Sequence, residues 1–483
     1  MRLRALATVL GITTGLPEIE ITDIAYDSRR VRPGALFVCV PGESVDGHDW
    51  AQKAYDNGAR VFVAQRSLSL PDNALVLPTD NPRLALARLS AAFFAYPASE
   101  MTLIGVTGTK GKTTITYLLR SVLEAAGHTV GIIGTAGVEY AGVREKTVNT
   151  TPESYELHRI FRAMRTADVT VCVMEVSSLG LKQHRTDGLR FDVGIFTNVS
   201  PDHIGQGGHE DMAEYIGWKA RLFAQSRVSI INTDDPCAAD MFQTAGERIT
   251  YALQDKSADI RGGNIQKWQS ATALGIAFDV HSAQGNDTLR LPQPGDFSAY
   301  NALAVVAAAQ ALGIPREATK QGLAAAVVPG RAQILPARPD ITVLLDYAHN
   351  ALSLESILRS VRAYDPARRI VCLFGSVGGR DQQRRAGLGK VASALADFCV
   401  LTADNPDFED PQAIIDEIRA AFVRDCPFVA YPDRREAIRW ALQNAHAGDI
   451  ILLCGKGHET TQRIRGVDEP FSEAEIVQEI MEK

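Results

Sequence analysis

Along the chain, short apolar runs alternate with longer stretches whose apolar positions recur at helical spacing. Leu103-Ile104-Gly105-Val106 is one such run, and Ile115, Leu118, Leu119 and Val122 follow it on one face of a predicted helix. Between them lies a Gly-rich turn. Residues 169–176 read as a buried strand carrying Glu175 near its C-terminal end, and residues 191–198 as a second strand that delivers Pro201-Asp202-His203 into a loop. Upstream, Pro33-Gly34 leads into a predicted strand at 35–40, which a polar loop at 45–50 separates from a helix. Beyond residue 330, strands are predicted at 342–346, 370–375, 398–402, 428–431 and 450–455, each followed by polar and Gly-rich residues. Alternation of this kind predicts an α/β fold with mostly parallel sheets covered on both faces. The length of 483 residues exceeds what one core serves, and about three domains are expected. The pattern breaks them at 1–98, 99–330 and 331–483.

The turn reads Thr107-Gly108-Thr109-Lys110-Gly111-Lys112-Thr113-Thr114. A Gly-rich loop between a strand and a helix turns backbone N–H groups and the helix N-terminus toward an anion. Here Lys112 is expected to meet the outer phosphates of a nucleotide and Thr113 to reach Mg²⁺. The general pattern has a glycine where this chain has Val106, and Gly108 sits inside the loop instead. In open parallel sheets ligands collect at the carboxyl ends of strands, which is the edge holding this loop. Glu175 and His203, each ending a strand, are therefore candidate metal ligands beside the phosphates. In the last domain the polar runs Asp346-Tyr-Ala-His-Asn350, Gly378-Gly-Arg-Asp381, Asp404-Asn-Pro-Asp407 and Gly455-Lys-Gly-His-Glu459 gather at one sheet edge, which suggests a charged small molecule. Residues 375–379 do not form the dinucleotide fingerprint.

Composition narrows the class. Hydrophobic residues make up 46% and charged residues 22%, ordinary for a globular protein. A net charge of -7 argues against a nucleic-acid partner. The seven cysteines lie mostly within apolar runs and form no CxxC, so buried free thiols in a reducing cytoplasm are expected. The mildly apolar stretch from Ala5 to Gly15 is interrupted by Thr and Gly and lacks a cleavage site, which argues against a signal peptide. No apolar run is long enough to span a membrane.

Taken together, Thr107–Thr114, Asn149-Thr-Thr-Pro152, Met174-Glu-Val-Ser-Ser178, Gln183-His-Arg185, Ser200-Pro-Asp-His203, Asp346-Tyr-Ala-His349, Asp404-Asn-Pro406 and Gly455-Lys-Gly-His-Glu459 resemble the Mur ligases of peptidoglycan precursor synthesis. Within them the likeness is to the branch that adds the third residue, and it covers essentially the full length. The resemblance implies an N-terminal domain for the UDP moiety, a central P-loop ATPase and a C-terminal Rossmann-like domain. It also implies a reaction, in which the γ-phosphate of ATP passes to the D-Glu carboxylate of UDP-N-acetylmuramoyl-L-alanyl-D-glutamate and an amine captures the acyl phosphate. Lys112, Glu175, His203 and Lys219 match catalytic positions. Gly108, Thr109, Lys110, Gly111, Lys112, Thr113, Thr114, Asn301, Arg331 and Asp346 match ATP-site positions. A pair of Mg²⁺ ions is implied at Thr113, Glu175, His203 and Lys219, the last as a carbamate, which supplies the oxygen donors a hard cation prefers. From the sequence alone Lys219 would be a surface helix lysine, and Asn301 could equally cap the Ala-rich helix that follows it. Ser28, His48, Thr150, Thr151, Ser177, Gln183 and Arg185 match positions for the UDP-sugar dipeptide.

For the incoming amino acid the matching positions are Arg380, Asp404, Asn405, Asp407, Gly455 and Glu459. Diaminopimelate-adding relatives carry an arginine where this chain has Asp407, followed here by Glu409 and Asp410. A carboxylate there repels a distal carboxylate and attracts an ammonium, so charge complementarity favours L-lysine over meso-diaminopimelate. The expected enzyme is a cytoplasmic monomer. Competing readings are a folylpolyglutamate-type ligase and a nucleotide-binding paralogue that has lost catalysis.

Overall fold

The computed structural model describes every residue except 43–44, 203, 206, 245, 271–273, 380–381 and 483. By contacts the chain divides into two compact units, Met1–Asp259 with Ala304–Ala318, and Ile260–Leu303 with Thr319–Lys483.

In the first unit, strands Asp23–Ala25, Ala35–Val38, Val61–Ala64 and Leu75–Pro78 form a parallel sheet in chain order. Period-two alternation sends Leu36, Val38, Val61 and Val63 into one core and Phe37, Cys39 and Phe62 into another, so the middle strands are apolar throughout. Asn81 caps the helix Pro82–Phe93 by accepting from Leu84 N, and Pro82 at the first helical position has no N–H to leave unsatisfied.

A larger sheet follows in the same unit. Its strands run Glu247–Ala252, Ser226–Asn232, Phe191–Phe196, Thr102–Thr107, Val171–Glu175, Val130–Gly134, Gly137–Tyr140 and Val143–Glu145 across the sheet. The first six are parallel and the last two turn back antiparallel. Thr102–Thr107 therefore lies between the strands that end at Glu175 and Phe196, so three carboxyl ends meet at one edge. Helix Ser154–Thr166 buries Leu157, Ile160, Phe161 and Met164 against one sheet face. Helix Met212–Ala224 packs Ala220 and Phe223 against Phe196 and Ile231.

The second unit begins with an antiparallel meander of Ile260–Gln269, Leu274–Ser282 and Gly285–Leu291. A mostly parallel central domain did not foresee it. The helix Asp296–Ala311 starts after Pro294-Gly295, which places the buried Asn301 inside the helix rather than at its cap, against the sequence-based alternative. The main sheet runs Gln333–Leu335, Thr342–Asp346, Ile450–Cys454, Ile370–Phe374, Phe398–Thr402 and Phe428–Tyr431, parallel except for its first pairing. Cys372, Cys399 and Cys454 point to one face, where helices Ala351–Arg362, Gln382–Leu395 and Pro411–Ala420 cover them. The cysteines are free, as composition predicts, and all but Cys237 are buried. No described helix is long and apolar enough to cross a membrane.

Candidate functional site

The Gly-rich loop needs backbone that only glycine adopts without strain. Gly108 has φ +144°, and a Cβ there would lie 1.8 Å from Thr197 Oγ1. Gly111, at φ +90°, opens the helix Lys112–Ala125, whose Ile115, Leu118, Leu119 and Val122 are buried as the spacing predicts. The neighbouring strand end clamps the loop. Thr109 N donates to Asn198 O at 2.8 Å, Lys110 N to Asn198 Oδ1 at 3.0 Å, and Thr197 Oγ1 to Lys110 O at 2.7 Å. The Lys112 ammonium lies across the loop, donating to Gly108 O at 2.8 Å and Thr109 O at 3.2 Å. A basic group and a preset loop thus sit at a helix N-terminus, the arrangement that takes phosphate.

Glu175 ends its strand beside that loop and is buried. Thr113 Oγ1 donates to Oε1 at 2.8 Å, Thr135 N to the same oxygen at 3.1 Å, and Thr135 Oγ1 to Oε2 at 3.2 Å. Three donors hold the carboxylate in one orientation, next to a hydroxyl. Oxygen donors so arranged suit Mg²⁺, and the residues fit that ion. His203 lies outside the described residues.

Lys219 corrects the surface reading. It is 2% exposed, because helix Met212–Ala224 turns Tyr215, Lys219, Leu222 and Phe223 inward. Its ammonium stands 4.3 Å from the centroid of the Tyr215 ring. Burial, with Lys112 nearby, holds its pKa well below the usual lysine range, and Asp202 opposes the shift. A neutral amine is the form that adds carbon dioxide. The Tyr215 hydroxyl meets Thr109 Oγ1 at 3.1 Å, which ties this helix to the loop.

Thr151 links Glu175 to the seam with the N-terminal sheet. Its hydroxyl donates to Glu175 O at 3.0 Å and accepts from Ser177 N at 2.9 Å, while Arg185 Nη1 donates to Thr151 O at 2.8 Å. Ser177 caps a short helix through Gly180 N, Gln183 Oε1 accepts from Arg185 Nη2, and Thr150 meets Thr135 at 3.1 Å. Arg185 pairs with Glu153 at 2.8 Å, Arg83 with the same carboxylate at 3.5 Å, and Arg30 with Glu156 at 2.5 Å. The structure therefore gathers Thr150, Thr151, Ser177, Gln183 and Arg185. Ser28 and His48 are buried in the N-terminal sheet's loops. His48 Nε2 accepts from Gln65 N at 3.1 Å and Nδ1 meets Asp46 at 2.6 Å, so both ring nitrogens serve the fold.

In the second unit, Asp346 receives Ala332 N and Ala348 N, and burial raises its pKa. The Arg331 guanidinium stacks 4.7 Å from the Tyr347 ring. At the same sheet edge a cleft of about 350 Å³ is lined by Val377, Gly378, Asn405, Asp407, Glu459, Thr461, Arg463 and Asp468. Buried Lys456 organises it, donating to Asn405 Oδ1 at 2.9 Å and Glu459 Oε2 at 2.7 Å, 3.8 Å from Asp404. Burial raises the pKa of Asp404. Gly455 precedes Lys456 in the left-handed conformation at φ +115°. Arg380 lies outside the described residues.

The acidic run after Asn405 is less available than the sequence implies. Glu409 is taken by Arg385 at 2.7 Å and by Gly379 N, which lowers its pKa to about 2. Asp410 caps the helix Pro411–Ala420. Only Asp407 faces the cleft, and its Oδ1 accepts from Gly466 N at 2.7 Å. Sequence reasoning missed Thr135, Asn198, Lys456 and Arg463. Asn198 ends a predicted strand at the ligand-bearing edge, which was the available signal; Thr135 follows a strand, Val130–Gly134, that was not predicted, and Lys456 stood inside a quoted motif. Arg463 carried none, since a hairpin brings it to the cleft.

Comparison with known proteins matches three segments: residues 20–94 to the Mur ligase family catalytic domain, 106–309 to the Mur ligase middle domain, and 330–457 to the Mur ligase glutamate ligase domain. The chain is 39% identical to the UDP-N-acetylmuramoyl-L-alanyl-D-glutamate–2,6-diaminopimelate ligase of Caldanaerobacter subterraneus subsp. tengcongensis, over 97% of this chain and 96% of that one. It is 36% identical to the protein of the same name from Clostridium perfringens, over 98% and 97%. A solved UDP-N-acetylmuramoyl-L-alanyl-D-glutamate–2,6-diaminopimelate ligase superposes with a TM-score of 0.71 at 26% identity, covering 100% of this chain and 99% of its own.

Proposed function

The chain belongs to the Mur ligase family, and from that premise we propose that it joins an amino acid to UDP-N-acetylmuramoyl-L-alanyl-D-glutamate at the expense of ATP. Domains 1–98, 99–330 and 331–483 take the UDP moiety, ATP and the incoming amino acid respectively. The observation that carries the reading is the seating of Glu175: a buried carboxylate, fixed by Thr113 and Thr135, beside a glycine loop that bears Lys112. Phosphoryl transfer asks mainly for positioning and charge neutralisation, and this edge supplies both.

Lys112 orients the outer phosphates of ATP, with Gly108, Thr109, Lys110, Gly111 and Thr114 framing them. Thr150, Thr151, Ser177, Gln183 and Arg185 position the dipeptide so that its D-Glu carboxylate meets the γ-phosphate. That carboxylate takes the phosphoryl group, the amine attacks the acyl carbon, and phosphate leaves. Bound Mg²⁺ would neutralise the phosphoryl oxygens, held by Thr113, Glu175 and a carbamate on Lys219.

The amino acid is meso-diaminopimelate. The names of the relatives favour it over the L-lysine that charge at Asp407 alone predicts, and Glu409 and Asp410 are engaged elsewhere. L-lysine is the second reading, because Asp407 and Asp468 on the cleft wall suit an ammonium. The N-terminal match at 20–94 supports a UDP-linked substrate over a folate. Phosphate release measured with the nucleotide dipeptide and a panel of diaminopimelate, lysine and ornithine tests the proposal. Release that needs both substrates and runs fastest with diaminopimelate is expected; release independent of the nucleotide dipeptide would sink it.

A further inference from the structure

The cleft at the C-terminal sheet edge holds a cation that no motif announces. Arg463 lies on the first strand of the hairpin Thr461–Ile464 and Val467–Pro470. Its backbone is fixed from both sides. Arg463 N donates to Asn405 Oδ1 at 3.0 Å, Arg463 O accepts from Asp407 N at 3.1 Å, and Ile464 bridges Asp407 in parallel register. Next to it, Gln462 donates to Asp404 O at 2.7 Å, which pins the hairpin to the strand end.

The side chain, by contrast, is held loosely. Its guanidinium stands 3.5 Å from Asp407 Oδ2 and 3.9 Å from Asp468 Oδ1, and it is 53% exposed. Both separations exceed a hydrogen bond, and no side-chain hydrogen bond from Arg463 exists among the described residues. A guanidinium carries five N–H donors in a fork that matches a carboxylate. Those donors remain available to a ligand. Glu459 is neutralised by Lys456 and also accepts from Asn405 Nδ2. Among the described lining residues, then, the charge most open to a ligand is one exposed guanidinium, held only at ion-pair distance between two carboxylates.

That pattern mirrors the far end of a diamino diacid, which carries an ammonium and a carboxylate on one carbon. We propose that Arg463 is the specificity-determining residue for this end, taking the distal carboxylate while Asp407 and Asp468 take the distal ammonium. The assignment rests on the diaminopimelate reading above. L-lysine would meet Asp407 and Asp468 with its ammonium but has no distal carboxylate for the guanidinium fork to grip.

Steady-state kinetics of the full chain test this, with Arg463→Ala and Arg463→Glu compared against the unchanged protein. A charge-assisted bidentate pair lost in Arg463→Ala should raise the KM for diaminopimelate by about 10- to 100-fold. The KM values for ATP and for the nucleotide dipeptide should stay unchanged, which a general disturbance of the fold would not allow. Arg463→Glu should move the preference toward L-lysine. If the unchanged protein uses diaminopimelate and Arg463→Ala leaves its KM within about twofold, this assignment alone is overturned. If the unchanged protein uses L-lysine and rejects diaminopimelate, the proposed substrate falls first and the assignment with it.

Discussion

Replacing Lys456 by Met removes the charge that organises the cleft at the C-terminal sheet edge while nearly keeping the side chain's volume. The ammonium is fully buried, donates to Asn405 and Glu459, and lies 3.8 Å from Asp404. Breaking a buried charge pair costs about 3–5 kcal/mol, because the partner is left in a poor solvent. Two features pull this toward the lower end. Glu459 is 28% exposed and gains water, and Asp404 keeps Arg434 as a neighbouring cation. Asn405 Oδ1 also keeps Arg463 N. The expected loss is about 3 kcal/mol, which for a unit of this size lowers its melting transition by roughly 6–12 °C. Calorimetry that resolves separate transitions is the assay, since two compact units need not melt together. The same variant should raise the KM for the amino acid and spare that for ATP. Adding Glu459→Gln should return part of the stability, because it deletes the stranded carboxylate. A midpoint shift under about 2 °C, or a double variant no more stable than the single one, would refute the reasoning.

Lys219→Ala should abolish ligation, and a short-chain carboxylic acid added to the assay should restore a part of it by supplying the missing oxygen donors; full activity in the Ala variant would exclude a carbamate role. His158 is 3% exposed, its Nδ1 has no hydrogen-bond partner among the described residues, and burial pushes its imidazole down to about 4. The folded value lies below the unfolded one, so the unfolded chain takes the proton first. Stability is therefore complete above about pH 6.5 and falls by up to about 3 kcal/mol as pH drops toward 4. His158→Leu should flatten that slope in thermal melts between pH 7.5 and 5, and an unchanged slope would show that other groups cause it.

Local pattern was enough for much of this molecule. Strands at 342–346 and 398–402 are where apolar runs predict them, because a parallel strand buried on both faces must be apolar along its length; the half-exposed edge strand at 428–431 shows the same run. The glycine loop was equally legible, since φ values of +144° and +90° leave little choice of residue at 108 and 111. Family motifs marked Glu175, Thr151 and Arg185 for the same reason: each must hold a set position at a strand or loop end.

What depends on side chains from distant segments was not legible. From the sequence alone Lys219 would be a surface helix lysine, yet its helix turns that face inward with Tyr215, Leu222 and Phe223. Asp407, Glu409 and Asp410 read as one acidic patch, but only packing shows that Arg385 takes the second and a helix end the third. Arg463 reaches the cleft solely because its hairpin bonds to residues 404–407, some sixty positions upstream by number and adjacent in space. Charge in a pocket is a sum over neighbours, and neighbours are chosen by the fold. The chain's own order therefore determines which strand ends carry chemistry, while tertiary packing decides which charges remain to meet a ligand.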